Sequence, residues 1–135
     1  MNSFTLRLQD ATRSEVIEGV TSFVGEDDSG SFGILAGHAR TMTALTIGLA
    51  RFRVGEEHWT YLAVPGGVLY FQNDVLTLST RRYFIDDDYM RISETLQQQL
   101  LVEEQQLYAM KKSLHKMEHE VLKRLWEMGR EGISS

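Results

Sequence analysis

The chain has 135 residues, of which 42% are hydrophobic, and it carries a formal net charge of −5. This length suits one domain, or a small domain with an appendage, and excludes a pair of full enzyme domains. The acidic balance argues against general nucleic-acid binding, which needs many Lys and Arg residues to neutralise phosphates. The lack of cysteine excludes disulfides, thiolate zinc sites and a thiol nucleophile.

The first seven residues lack a charged head followed by an apolar run, so they do not predict a secretory leader. No stretch approaches the roughly 18 apolar residues that a membrane span requires. We therefore expect a soluble chain that meets a membrane only through partners.

Short apolar runs separated by turn residues fill the first part of the chain, a pattern typical of an antiparallel β domain. Phe4, Leu6 and Leu8 alternate with polar residues, which places one face of the first strand inward. The remaining runs are Val16-Ile17, Val20 to Val24, Phe32 to Leu35, Ile47 to Val54, Trp59 to Val64, Val68 to Phe71 and Val75 to Leu78. Many short strands at close spacing favour a sandwich or barrel over a βαβ fold.

Two of the links between these runs predict hairpins. They are Gly55-Glu56-Glu57 and Gln72-Asn73-Asp74, whose residue types favour tight turns.

The composition changes at about residue 86. Nine of the eleven glycines lie between Gly19 and Gly67, and residues 86–128 contain neither Gly nor Pro. All four lysines also follow this point. We predict a β domain over residues 1–86 and a helical arm over residues 87–135.

The arm begins with Asp86, Asp87 and Asp88, which are N-cap candidates and favour the positive end of a helix dipole. Apolar residues then recur at helical spacing, first at Tyr89, Ile92, Leu96 and Leu100 and later at Leu107, Met110, Leu114, Met117, Val121, Leu125 and Met128. The phase slips across residues 103–106, so a turn and a helix hairpin are favoured there, with one long helix as the alternative. Gly129 is the expected helix stop.

Three blocks of this sequence resemble the epsilon subunit of F-type ATP synthases. The first, Gly33 to Ala39 followed by Thr43 to Leu45 and Gly48, is similar to the family pattern G-I-L-P-G-H-A-P-x-x-T-A-L-x-x-G. The second and third, Ala63 to Leu69 and Val75 to Ser79, resemble the family strands A-V-S-G-G-x-L and V-T-V-L-A. Ala36, Arg40 and Pro65 depart from these patterns, which indicates a divergent branch.

The resemblance implies an antiparallel β-sandwich of about ten strands at the foot of the central stalk, between the gamma subunit and the membrane ring of c subunits. It places two stretches at the interface with the c-ring and gamma. These positions are Asp28, Ser29, Gly30, Ser31 and Phe32 in one loop, and Gly37, His38, Ala39, Arg40 and Thr43 in and after a turn. An exposed Phe32 would suit such a contact, whereas ordinary surface turns with Phe32 in the core are the alternative.

The resemblance also implies that the arm is a switch, which either packs on the sandwich or extends along gamma towards the beta subunits and hinders ATP hydrolysis. The regulatory surface is then the apolar stripe Leu107, Met110, Leu114, Met117, Val121 and Leu125, together with the basic residues Lys111, Lys112, Lys116, Lys123 and Arg124. A solvated helix face is the alternative for the basic residues.

Some relatives bind regulatory ATP on the arm through the pattern [I/L]-D-x-x-R-A. In this sequence Asp88 and Arg91 keep its acidic and basic residues, and a helix-surface ion pair is the alternative role for them.

The run His115 to His119 spells H-x-x-E-H, the order found in inverted zinc metallopeptidases. Only sixteen residues follow it, and they offer glutamate alone as a third ligand. Since there is also no phosphate-cradling loop and no marked nucleophile, we predict no metal site and no catalytic site. The resemblance to epsilon subunits implies an accessory subunit on the cytoplasmic face of the plasma membrane.

A second hypothesis is a stand-alone β-sandwich binding module that dimerises through a C-terminal coiled coil. It predicts a homodimer, whereas the stalk hypothesis predicts a chain that is monomeric in isolation.

Overall fold

The computed structural model describes residues 2–134 and contains nine strands followed by helical segments. The strands are β1 (Phe4–Gln9), β2 (Ser14–Asp27), β3 (Gly30–Ile34), β4 (Thr41–Leu45), β5 (Gly48–Val54), β6 (Thr60–Val64), β7 (Gly67–Gln72), β8 (Val75–Ser79) and β9 (Phe84–Asp86). The helical part comprises α1 (Tyr89–Thr95), a π-helical segment (Leu96–Leu101) and α2 (Val102–Ser134).

The strands form two layers that share the long strand β2. Its first half pairs with β1, and β8, β7 and β4 follow in hydrogen-bonded order to complete the first sheet. Its second half pairs with β3 and β5, and β6 and β9 complete the second sheet. β1 and β8 run parallel, while the other described pairs are antiparallel. The predicted β-sandwich is confirmed.

β2 passes from one sheet to the other at Gly19. This glycine has a φ of 74°, a left-handed conformation that favours glycine, and the register against β5 shifts between Val20 and Ser22. The Gly55 amide donates to the Gly19 carbonyl at 3.1 Å, and the Thr21 hydroxyl donates to the Gly55 carbonyl at 2.6 Å. The β5–β6 turn therefore fixes the crossing point.

The core lies between the sheets and takes inward-facing side chains from both. Phe4, Leu6 and Leu8 are buried in it, as their alternation predicts. The larger buried set comprises Val20, Phe23, Ile34, Leu45, Ala50, Phe52, Leu62, Val64, Leu69, Phe71, Leu76, Leu78 and Tyr83.

Both predicted hairpins are confirmed. The Gly55 turn joins β5 to β6, and Asn73 and Asp74 join β7 to β8. Asn73 and Asp74 both have positive φ, 53° and 57°, which is the conformation of a type I′ turn and matches the twist of the strands.

The second sheet carries a helical cover on its outer face. Asp88 caps α1, because its carboxylate accepts the Arg91 amide at 3.1 Å. Ile92 and Leu100 are buried with Ala63 of β6, and the half-buried Leu96 packs against them. This spacing of four residues places the three helical side chains on one face.

The predicted turn at residues 103–106 is wrong, since α2 runs from Val102 to Ser134 without a break, and Gly129 lies inside it. The alternative of one long helix is confirmed. The irregularity sits earlier, in the π-helical segment, where the wider turn changes the phase of the side chains. The chain passes from strand to helix between Asp86 and Tyr89, whereas the compact unit that contains the sandwich extends to Leu101.

The glycine pair between β6 and β7 leaves no room for a side chain. Gly66 has a φ of 127°, and a Cβ on Gly67 would lie 2.7 Å from the Ser79 carbonyl oxygen of the neighbouring strand. We expect Gly67→Ala to lower the free energy of unfolding by about 1–3 kcal/mol, because β7 and β8 must separate locally. Thermal denaturation measures this change. Gly33→Ala is the control, since the nearest atom to its Cβ is 3.8 Å away, and an equal loss in both variants would contradict the explanation.

Because Tyr83 is buried, we expect a late step in the tyrosinate absorbance during an alkaline titration. Its hydroxyl donates to Glu15 Oε1 at 2.9 Å, and burial followed by this bond raises the pKa of Tyr83 to about 12. Since the unfolded pKa is about 10, the stabilisation is complete below pH 10 and is lost as the pH rises through 12. Tyrosinate absorbance should therefore show a step near pH 12 that Tyr83→Phe abolishes. Tyr108→Phe, at a position 71% exposed, should retain it, and loss of the step in both variants would contradict the assignment.

Candidate interaction surfaces

The first predicted interface stretch, residues 28–32, comprises the β2–β3 turn at residues 28–29, which Asp27 braces, and the start of β3. One oxygen of the Asp27 carboxylate accepts the Ser29 amide at 2.9 Å and the Ser29 hydroxyl, and the other accepts the Thr43 hydroxyl at 2.7 Å. The hydrogen bonds from Ser29 and then Thr43 hold the pKa of Asp27 below its usual value. The turn is therefore tied to β4 by an ionised side chain.

Phe32 is half-buried and packs against the core, so its ring is not an exposed contact. It lies over Gly25, where an added Cβ would be 3.0 Å from the end of the ring. Phe32 therefore contributes to packing, while Asp28, Ser29 and Ser31 are exposed beside it, and the interface role of this stretch stays a prediction.

The second stretch, residues 37–40, lies against the β7–β8 hairpin. The Gly37 amide donates to the Asp74 carboxylate at 2.8 Å, and the His38 ring meets Phe71 edge-on at a centroid distance of 5.9 Å. His38 Nδ1 donates to the Ala39 carbonyl at 2.8 Å, which fixes the ring. Arg40 places its guanidinium 5.7 Å from the centre of the Tyr70 ring.

These two stretches do not form one site. The β2–β3 turn at residues 28–29 and the loop at residues 37–40 lie at opposite ends of β3 and β4, which are five residues long, so about 16 Å of strand separates turn and loop. Thr43 lies midway along β4 and is half-buried.

β4 carries a feature that the sequence prediction missed. Its apolar residues Met42 and Ala44 point outward and pair with Tyr70 and Val68 of β7, and we call these four residues the β4–β7 outer face. Met42 is 68% exposed and Val68 is 49% exposed. The alternation of Met and Ala with Thr signals this face, although the inward positions hold the threonines.

The apolar stripe of the arm lies on a single continuous helix. α2 has 33 residues, which corresponds to a length of about 50 Å. Leu107 is half-buried, and the exposed members of the stripe are Met110, Leu114, Met117, Val121 and Leu125. The predicted basic residues Lys111, Lys112, Lys116, Lys123 and Arg124 are exposed on the same helix.

Asp88 and Arg91 are the residues predicted to bind ATP, and Arg91 pairs with Asp86 rather than with Asp88. Arg91 Nε and Nη2 donate to the two oxygens of Asp86 at 2.6 and 2.7 Å, a bidentate contact. This contact raises the pKa of Arg91 and lowers that of Asp86. Asp88 instead accepts the Arg91 amide as the helix cap, so a phosphate at Arg91 would have to compete with Asp86. ATP binding stays a prediction.

The H-x-x-E-H motif forms no described metal site. His115, Glu118 and His119 are exposed on α2, and no group of three His, Asp or Glu side chains within residues 2–129 converges as metal ligands would. Within the same residues, no helix has the length and apolar character needed to cross a membrane.

Comparison with known proteins identifies the sandwich. Residues 3–84 match the family described as ATP synthase, Delta/Epsilon chain, beta-sandwich domain. The chain is 36% identical over 83 residues to ATP synthase epsilon chain 2 of Cereibacter sphaeroides, covering 61% of this chain and 57% of that one. It is 30% identical over 94 residues to the chloroplastic epsilon chain of Marchantia polymorpha, covering 68% and 69%.

Solved structures agree with this fold. A chain of the Euglena gracilis mitochondrial ATP synthase, from its OSCP/F1/c-ring assembly, matches with a TM-score of 0.59 at 18% identity, covering 72% of this chain and 63% of that one. A chain of the Tetrahymena thermophila central stalk and c-ring matches with a TM-score of 0.51 at 12% identity, covering 62% and 69%. The matched family, which spans more than half of the sequence, and the named relatives agree. This chain belongs to the ATP synthase delta/epsilon family as an epsilon subunit.

Proposed function

We propose that this chain is a non-catalytic rotor subunit of the central stalk, which links gamma to the c-ring and whose arm regulates ATP hydrolysis. The observation that carries the proposal is the β4–β7 outer face, where Met42 and Val68 remain exposed on a well-packed sandwich. Exposed apolar groups on a sheet favour a protein partner. The two named structural neighbours come from ATP synthase assemblies that include a c-ring.

We assign the outer face and the two predicted interface stretches to different partners. The β4–β7 outer face exposes the apolar side chains of Met42 and Val68, which suits a large folded neighbour such as gamma. The turn at residues 28–29 and the loop at residues 37–40 are exposed and braced by Asp27 and Asp74, which suits contact with the polar loops of a c-ring.

The stripe on α2 suits a switch between two surfaces. Reversing a population from about 1:99 to 99:1 needs roughly 5.5 kcal/mol of differential binding. A buried Leu, Val or Met side chain contributes about 1.5–3 kcal/mol, so exchanging three of the stripe residues between surfaces is sufficient. The basic residues beside the stripe would meet acidic segments of the beta subunits. The subunit then acts as a peripheral component at the cytoplasmic face of the plasma membrane.

A homodimer is the competing use of the same stripe. Leu107, Met110, Leu114, Met117 and Val121 follow the three-and-four spacing of a coiled coil, and four of the five are exposed. In that case the chain would be a stand-alone binding module rather than a rotor part.

Charge on the β4–β7 outer face should break docking onto gamma. We expect Met42→Glu with Val68→Glu to reduce the gamma recovered with a tagged chain by about tenfold or more, because burying an unpaired carboxylate costs several kcal/mol. Affinity purification followed by quantitative mass spectrometry measures the recovery. Val16→Glu is the control, since Val16 is 59% exposed on β2 of the same sheet but outside this face. Undiminished recovery of gamma with the double variant would contradict the docking assignment.

Removal of α2 should release ATP hydrolysis. A stop after Leu101 keeps Ile92 and Leu100 on the second sheet, so the sandwich retains its cover. We expect the assembled enzyme to hydrolyse ATP several-fold faster with this truncation, and faster also with Leu114→Glu and Met117→Glu on the stripe. His119→Glu, on the helix face opposite the stripe, should leave the rate unchanged. Equal hydrolysis by the wild-type and truncated enzymes in a steady-state assay would count against a brake.

A further inference from the structure

Beside its helical cover, the second sheet holds a cavity on its outer side. The Tyr89 ring of α1 meets the Tyr61 ring of β6 at a centroid distance of 5.4 Å, and the two rings form one wall. The cavity has a volume of about 230 Å³ and includes neither a residue of the β4–β7 outer face nor Asp88 or Arg91. The lining residues are Val24, Gly25, Glu26, Ser31, Leu49, Ala50, Arg51, Tyr61 and Tyr89.

Apolar and aromatic groups line the side of the cavity next to α1. Leu49 is half-buried and packs, together with Tyr61, against the cluster that contains the buried Ala63. Tyr89 remains 56% exposed although its ring contacts Tyr61. An apolar group of a ligand would therefore find aromatic surface that the fold itself leaves open to solvent.

Two side chains of opposite charge also line the cavity. Val24 of β2 pairs with Arg51 of β5, so Glu26, two residues further along β2, is the diagonal neighbour of Arg51. Diagonal neighbours on adjacent strands lie about 7–8 Å apart. Both side chains are exposed, and within residues 2–129 neither forms an ion pair. The Arg51 guanidinium lies 4.6 Å from the centre of the Trp59 ring, a contact that orients it without neutralising its charge.

We propose that this cavity binds a zwitterionic α-amino acid with an apolar side chain, for which phenylalanine is a probe. Arg51 pairs with the ligand carboxylate, Glu26 accepts from the ligand ammonium, and the ligand side chain packs on the tyrosine rings. The two charged groups of an α-amino acid are attached to the same carbon. With a hydrogen bond of about 2.8 Å at each end, they bridge side chains separated as Glu26 and Arg51 are. The cavity is smaller than the roughly 300–1,000 Å³ of sites for drug-sized ligands, which suits a single amino acid.

The test is a titration of the full chain, labelled for NMR, with L-phenylalanine. We expect saturable shifts of the amides in residues 24–26 and 49–51 and of Tyr61, with a dissociation constant on the order of 1 mM. N-acetyl-phenylalanine lacks the ammonium and phenylalaninamide lacks the carboxylate. Each should bind about tenfold more weakly, because one charge-assisted contact is lost. Absence of saturation, or equal affinities for the three compounds, would overturn the proposal. This comparison needs only the wild-type chain, so it holds even if a variant fails to fold.

Variants then assign each charge to its ligand group. Glu26→Gln should weaken the binding of phenylalanine about tenfold and leave that of N-acetyl-phenylalanine unchanged. Arg51→Gln should likewise weaken the binding of phenylalanine and leave that of phenylalaninamide unchanged. Glu18→Gln is the matched control, since Glu18 is an exposed glutamate of β2 that does not line the cavity. The assignment is wrong if Glu18→Gln weakens binding as much as Glu26→Gln does, or if either cavity variant weakens all three compounds equally.

Discussion

Each sheet of a sandwich buries one face in the shared core, and its other face is either exposed to water or covered by a helix or a partner. The outer face of the second sheet is covered by the helical segments, where Ile92 and Leu100 bury Ala63. The first sheet presents Met42 and Val68 to solvent on the β4–β7 outer face. This exposed apolar area is the main support for the proposal that the sandwich docks onto a larger neighbour.

β2 connects the two sheets, because this single strand contributes to both of them. Its crossing depends on the left-handed conformation of Gly19 and on the bonds that tie Gly19 and Thr21 to Gly55. Asp27 of β2 also joins two elements, because its carboxylate accepts hydrogen bonds from Ser29 in the β2–β3 turn and from Thr43 of β4. The β2–β3 turn and Thr43 are therefore anchored on β2 through Asp27.

The sequence predicts the fold where apolar residues face inward. Phe4, Leu6 and Leu8 alternate correctly, whereas β4 was missed because its half-buried positions hold Thr41 and Thr43 and its apolar residues point outward. β9 was missed because it is only three residues long. The turn predicted within the arm was wrong because a π-helical segment shifts the side-chain phase without ending the helix.

The sequence could not predict which aspartate pairs with Arg91 at the start of the arm, and the reason is different. Three consecutive aspartates precede α1, and which of them meets Arg91 depends on the direction in which β9 enters the helix. The structure assigns the ion pair to Asp86 and the cap to Asp88. The contact of Arg13 with Tyr83 was equally hidden, since the two residues are 70 positions apart along the chain and are brought together by the pairing of β1 with β8.

The mass of the purified chain in solution, measured by light scattering during size-exclusion chromatography with and without gamma, tests the central claim most directly. A rotor subunit predicts a monomer alone and a one-to-one complex with gamma. A stable homodimer that ignores gamma would contradict the account, because the apolar surfaces would then serve self-association.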